Sequence, residues 1–334
     1  MSRNKILFII SIFVLSNNLR AENTTDEEYP SWDLVSKEIQ EKCHSLENIS
    51  LPPHPQTLEA LNGCEADELY YGFSQIPDYG KALSCAQATK AYDILTMLYA
   101  NGKGVNRNLD VAIYYACKFG GAPAELEARV KHLIELQKAG KQAKDFDICD
   151  DITSGYMMGQ CAHKEARFED AKKQKQYASL MSNWTPEERK GFEKLQKDFK
   201  DYLEARIDEI DVSGTVRASL QIGEENSLKD RFLKTLKECT QNKIPNFTST
   251  QYQEADRELN TLYKKALTTP YFEGSGINSE GIKKTERAWL KYRDAWVAFG
   301  HLKCPKVTED SWKTLITKER IKELQELTEM GRNE

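Results

Sequence analysis

Eight cysteines constrain this chain more than any other feature, and they fall into three groups. Cys43, Cys64, Cys85 and Cys117 form the first, Cys149 and Cys161 the second, Cys239 and Cys304 the third. Four, two and two is the partition expected if each structural unit closes its own bridges. No Cys-x-x-Cys pair occurs, so thioredoxin-type chemistry and the common zinc knuckles lack their signature. Structural cystines require an oxidising compartment, and the first residues predict one. Arg3 and Lys5 precede the apolar run Ile6–Leu15, and a polar stretch then ends Leu19-Arg20-Ala21. That order predicts a secretory signal over residues 1–21. The apolar run is about ten residues, against roughly 20 for a bilayer-spanning helix. No later stretch reads as a membrane span, and no cysteine stands at the cleavage point. The expectation is a soluble periplasmic or secreted protein without a lipid anchor.

Removing residues 1–21 takes Arg3, Lys5 and Arg20 from the 47 basic residues and none from the 52 acids, so 44 face 52 and the net charge is near −8. Nucleic acid is a poor partner for such a chain, because its binding rests on neutralising phosphates. A basic protein suits it, since opposite charge speeds encounter; solubility alone is the alternative reading.

Residues 22–55 read as an acidic, Pro-rich leader, and Leu51-Pro-Pro-His-Pro55 breaks regular structure. From residue 56 apolar residues recur at helical steps, as at Leu58, Leu61 and Leu69, then Ile94, Leu95 and Leu98. An all-α fold is expected. Over residues 56–140 the helices come in pairs: Asp78-Tyr-Gly-Lys-Ala82, then Ala91–Tyr99, the turn Asn101-Gly-Lys-Gly-Val105, and Asn108–Tyr115. Gly102 and Gly104 permit a tight turn, and Ala82 and Ala112 permit close helix approach. Leu95, Tyr99, Gly102, Gly104, Val105, Ala112 and Tyr115 carry a resemblance to the Sel-like repeat, which implies a short helical-repeat domain.

A looser repetition of about ninety residues links residues 141–238 to residues 239–330. Phe199 answers Trp289, Tyr202 answers Tyr292, and the run Ser227–Leu236, with Arg231, answers Leu315–Leu324, with Arg320. Each segment reads as three amphipathic helices, so the two are a degenerate tandem pair or merely share a helical period. The second contains Cys239, Ala255-Asp256-Arg-Glu-Leu259-Asn260-Thr-Leu-Tyr263, Trp289-Leu-Lys-Tyr292-Arg293-Asp294, Cys304 and Arg320-Ile-Lys-Glu-Leu324. These residues resemble the lysozyme inhibitor LprI-like family of exported helical domains. The resemblance implies a disulfide-stapled three-helix domain, a bond between Cys239 and Cys304, and binding of a basic lysozyme.

Tyr292-Arg293-Asp294 admits two readings. It is a binding surface, or Trp289, Tyr292 and Trp296 form a buried stripe while Arg293 and Asp294 clamp neighbouring helices; the spacing favours the stripe. Elsewhere the expected roles are structural. His44, His54, His132, His163 and His301 have no metal-ligand spacing, and Cys161 is expected to pair with Cys149. Thr153-Ser-Gly155 and Ser213-Gly-Thr215 lack a nucleophile elbow, and Asp150-Asp151 and Glu187-Glu188 read as helix N-terminal charges. No catalytic, cofactor-binding or metal residue is assigned. In the first group, Cys43–Cys64 with Cys85–Cys117 is favoured because the second pair lies on corresponding helices of adjacent repeats; Cys64–Cys85 with Cys43–Cys117 is the rival. The function expected is an exported binding protein, a lysozyme inhibitor acting by occlusion, with a repeat-based periplasmic scaffold as the alternative.

Overall fold

The computed structural model describes residues 32–52, 63–140, 144–271 and 274–331. The expected signal, residues 22–31 of the leader, His54, Leu58 and Leu61 lie outside the described residues. Among the described residues the chain is all-α, with twelve α-helices and no strand. It divides into two compact units, residues 32–171 and residues 172–331 of those described, and the division falls within α7 (Gly155–Leu180).

In the first unit, α1 (Lys37–Ser45) is followed by α2 (Ala66–Tyr71), α3 (Tyr79–Thr89), α4 (Tyr92–Asn101), α5 (Leu109–Phe119) and α6 (Pro123–Ala139). Local sequence sets the boundaries. Asp78 and Asn108 cap α3 and α5, accepting from the N–H of Lys81 at 3.0 Å and of Val111 at 3.2 Å. Gly102 ends α4 in the left-handed region at φ 65°. Gly104, at φ 70°, lies so close to the Tyr79 backbone that a Cβ would collide with it. From α2 to α6 each helix packs on the next, and Ala82 and Ala112 are fully buried where helices meet. Asn101 fastens the chain after α6, donating to the Phe146 carbonyl at 2.8 Å and accepting from its N–H at 2.7 Å.

The favoured pairing of the first four cysteines is corrected. The bonds are Cys43–Cys117 and Cys64–Cys85, with Cα separations of 5.9 and 6.0 Å. α1 docks on α5 and α6, which brings Cys43 to Cys117. Cys64 precedes α2, whose partner α3 presents Cys85. Cys149 and Cys161 are also joined.

The second unit holds the end of α7, α8 (Pro186–Arg206), a 3-10 turn at Ile207–Glu209, α9 (Arg217–Thr240), α10 (Ser249–Thr268), α11 (Ser279–Lys303) and α12 (Glu309–Met330). Thr185 with Glu188 and Thr248 with Gln251 form capping boxes that start α8 and α10. The expected division at 238/239 does not separate two bodies. One hydrophobic core runs from Tyr177 through Leu327, because α8 lays Phe192, Leu195, Phe199 and Tyr202 against α11, while α12 packs on α10 and α11. Residues 144–171 belong instead to the first unit.

Candidate functional site

α11 organises the second unit. Asn278 starts it by accepting from the Gly281 N–H at 3.0 Å, and Trp289, Tyr292, Trp296 and Phe299 then recur at helical spacing, all 5 % exposed or less. Tyr202 and Tyr292, counterparts in the ninety-residue repetition, stack with centroids 5.3 Å apart and planes at 13°. Trp296 stacks on Trp312 at 5.3 Å and 12°, which is possible because Gly300 leaves room for the Trp312 indole. The Cys239–Cys304 bond, Cα atoms 5.8 Å apart, ties the end of α9 to the residue that closes α11.

Tyr292 thus lies in the core, but the expected clamp is corrected. Arg293 donates to the adjacent Asp294 at 3.0 and 2.9 Å and lies 5.3 Å over the Trp289 ring. Among the described residues, neither Arg293 nor Asp294 bonds a neighbouring helix. The Arg293 side chain, 12 % exposed, lies between the Trp289 ring and Asp294, so its donors are taken on α11 itself. Tyr263 is half-buried on α10, its phenol pushed up by burial and by the nearby Glu286.

Beneath the aromatic stripe lies a charged cluster that sequence reading missed. Arg320, fully buried, donates to Glu209 at 2.6 and 2.8 Å, to Glu286 at 3.1 Å and to Glu323 at 3.3 Å. Arg206 pairs with Glu209 at 3.0 Å and Glu224 at 3.2 Å, and Arg231 reaches Glu323 at 2.8 Å. The Tyr202 hydroxyl donates to Glu323. Burial pushes the Glu323 carboxyl up, but Arg206, Arg320 and Arg231 outweigh it and hold it below its ordinary value. Burial keeps the Tyr202 phenol far above its ordinary range, and the Glu323 charge adds to this. Burial also raises Glu286, which Arg320 offsets only in part. Arg320, Arg206, Glu209 and Glu323 are buried and paired with one another, so the cluster ties α8 and the turn after it to α12. One signal was available: Arg320 stands four residues from both Ile316 and Leu324, and Arg206 four after Tyr202, so each occupies an apolar register position.

The other singled-out groups serve local structure. Glu187 and Glu188 lie in the first turn of α8. Asp150 and Asp151 instead precede α7; Asp150 accepts from the Asp147 N–H at 3.0 Å and Asp151 is 2.9 Å from His132. Ser154 bonds Glu125 and accepts from the Met157 N–H at 3.2 Å. Among the described residues no three His, Cys, Asp or Glu side chains converge as a metal site requires, and no helix is long and apolar enough to cross a membrane. Comparison with curated proteins and with solved structures gives no significant match. Residues 234–324, however, match the family model described as Lysozyme inhibitor LprI, so the aromatic stripe of α11, the Cys239–Cys304 bridge and Arg320 all lie in a segment similar to that inhibitor family.

Proposed function

We propose that this is an exported binding protein that inhibits a lysozyme by occlusion, through the segment of residues 234–324. The family match to that segment carries the reading. The signal-like residues 1–21 and four disulfides support export. Because Trp289 and Tyr292 are buried, contact falls to the outer residues of α10 and α11, such as Arg257, Lys264, Arg287 and Lys291, all exposed. A wall-lysis assay with purified protein tests this: a molar excess should slow clearing by at least one lysozyme type. Undiminished clearing at large excess across lysozyme types would remove the inhibitor reading.

The second reading is a scaffold built on Sel-like repeats in residues 56–140. The stepwise packing of α2 to α6 and the Gly102–Gly104 turn favour it. Pull-down of a periplasmic protein that survives deletion of residues 234–324 would support this reading.

A further inference from the structure

A shallow groove of about 410 Å³ runs between α8 and α11 in the second unit. A water occupies ~30 Å³, so the groove has room for a macromolecular edge rather than a single ion. Ala205 of α8 and Ala288 and Leu290 of α11 supply its apolar lining, and Leu290 is 38 % exposed. Lys284, Arg287 and Lys291 line it as well. They follow one another at steps of three and four residues, so all three stand on one face of α11.

The acids and cations here do not balance. Asp201, on the groove wall, is held by Lys197 of its own helix at 2.7 Å. Asp208 takes Lys284 at 2.7 Å, and Glu280 takes Lys283 at 2.7 Å. Two exposed cations are left over. Among the described residues no hydrogen bond or ion pair reaches the head group of Arg287 or Lys291. One solvated lysine on a surface is ordinary; two free cations one turn apart, flanking an exposed leucine, form a contact surface for a pair of anions. Residues 234–324 carry 17 Lys and Arg against 12 Asp and Glu, whereas residues 32–171 carry 14 against 21, a net of −7. A basic enzyme therefore meets like charge at long range when it approaches the matched segment. Its affinity there has to come from short-range pairing with the acids that it presents. A glycosidase keeps two carboxyl groups across its cleft, about 5–5.5 Å apart in retaining enzymes and about 6.5–9.5 Å in inverting ones. Arg287 and Lys291, four residues apart, are separated by about 6 Å along the helix axis.

We propose that Arg287 and Lys291 pair with the two catalytic carboxylates of the lysozyme, while Leu290 and the groove beside it seat the lip of the cleft. This rests on the inhibitor reading and adds the place of contact: the outer face of α11 occupies the ground that the glycan would take. Ion pairs closed off from water are screened little, so such a contact tolerates salt.

Two measurements on the full chain test it. In wall-lysis assays, the double variant Arg287→Gln, Lys291→Gln should inhibit at least about tenfold more weakly than the parent protein, with an unchanged melting temperature because both side chains are exposed. Lys306→Gln, an exposed cation outside the groove, should inhibit as the parent does. In calorimetric titration of the inhibited lysozyme, a saturating N-acetylglucosamine trimer should compete with the unaltered protein and weaken its binding by about tenfold or more; this readout decides even where the double variant does not fold. Unchanged inhibition by the double variant, an equal loss in Lys306→Gln, or binding indifferent to the trimer overturns the cleft contact while leaving the inhibitor reading intact. A parent protein that slows no lysozyme overturns both.

Discussion

Glu319 on α12 is half-buried with Arg231 and Glu238 of α9, Tyr292 of α11, and Lys322 and Glu323 of its own helix around it. Burial pushes its carboxyl up to about 7, with Glu323 and Glu238 adding to the rise and Arg231 and Lys322 relieving it only in part. A carboxyl raised in the folded state favours folding only while protonated. Its contribution is complete below the ordinary value of 4.5 and is lost as pH rises to about 7. The loss is at most about 3 kcal/mol. Glu319→Gln should therefore raise the urea midpoint at pH 7.5 and flatten its fall between pH 4.5 and 7; an unchanged pH profile would refute the assignment. Arg320 works in the opposite direction. Arg320→Met leaves Glu209, Glu286 and Glu323 buried without their shared cation, and should cost about 3–5 kcal/mol by chemical unfolding.

Between α11 and α12, Gly300 lies beneath the Trp312 indole, where even a methyl group overlaps the ring. Gly300→Ala should cost about 1–3 kcal/mol and perturb tryptophan fluorescence through the Trp296–Trp312 stack. A variant with unchanged melting temperature would show that the two helices separate freely. How much of this was legible varies by element. The stripe of Trp289, Tyr292 and Trp296 was, because helical spacing is a property of adjacent turns. The Gly102 turn and the capped starts of α3 and α5 were legible for the same local reason. Arg320 was not, because its partner Glu209 lies 111 residues away and only the folded core brings them together. The cysteine pairing failed for a related reason: it assumed that repeat neighbours decide, whereas a distant helix, α1, docks on α5 and claims Cys117. The ninety-residue repetition has a structural counterpart: α8 lies along α11 with Tyr202 on Tyr292, and Arg231 and Arg320 meet at Glu323.

Charge is distributed unevenly over the whole molecule. Residues 32–171 carry −7, whereas residues 172–334 hold 30 Lys and Arg against 27 Asp and Glu, a net of +3. Within 234–324 the balance is 17 against 12, or +5, so the matched segment itself does not attract a basic enzyme. Inhibition through that segment should then hold or strengthen as salt rises from ~0.01 to ~0.15 M, because screening removes repulsion; inhibition that collapses with added salt would place the contact on the acidic unit instead. The first two bridges have a kinetic consequence. Cys64–Cys85 lies nested inside Cys43–Cys117, while a chain emerging N-terminus first presents Cys43 and Cys64 together before Cys117 exists. An oxidant that joins cysteines in order of appearance would make the wrong bond first. Reaching the native pairs then requires thiol–disulfide exchange, so cells lacking a disulfide isomerase should accumulate a Cys43–Cys64 species, detectable by peptide mapping, and yield less native protein.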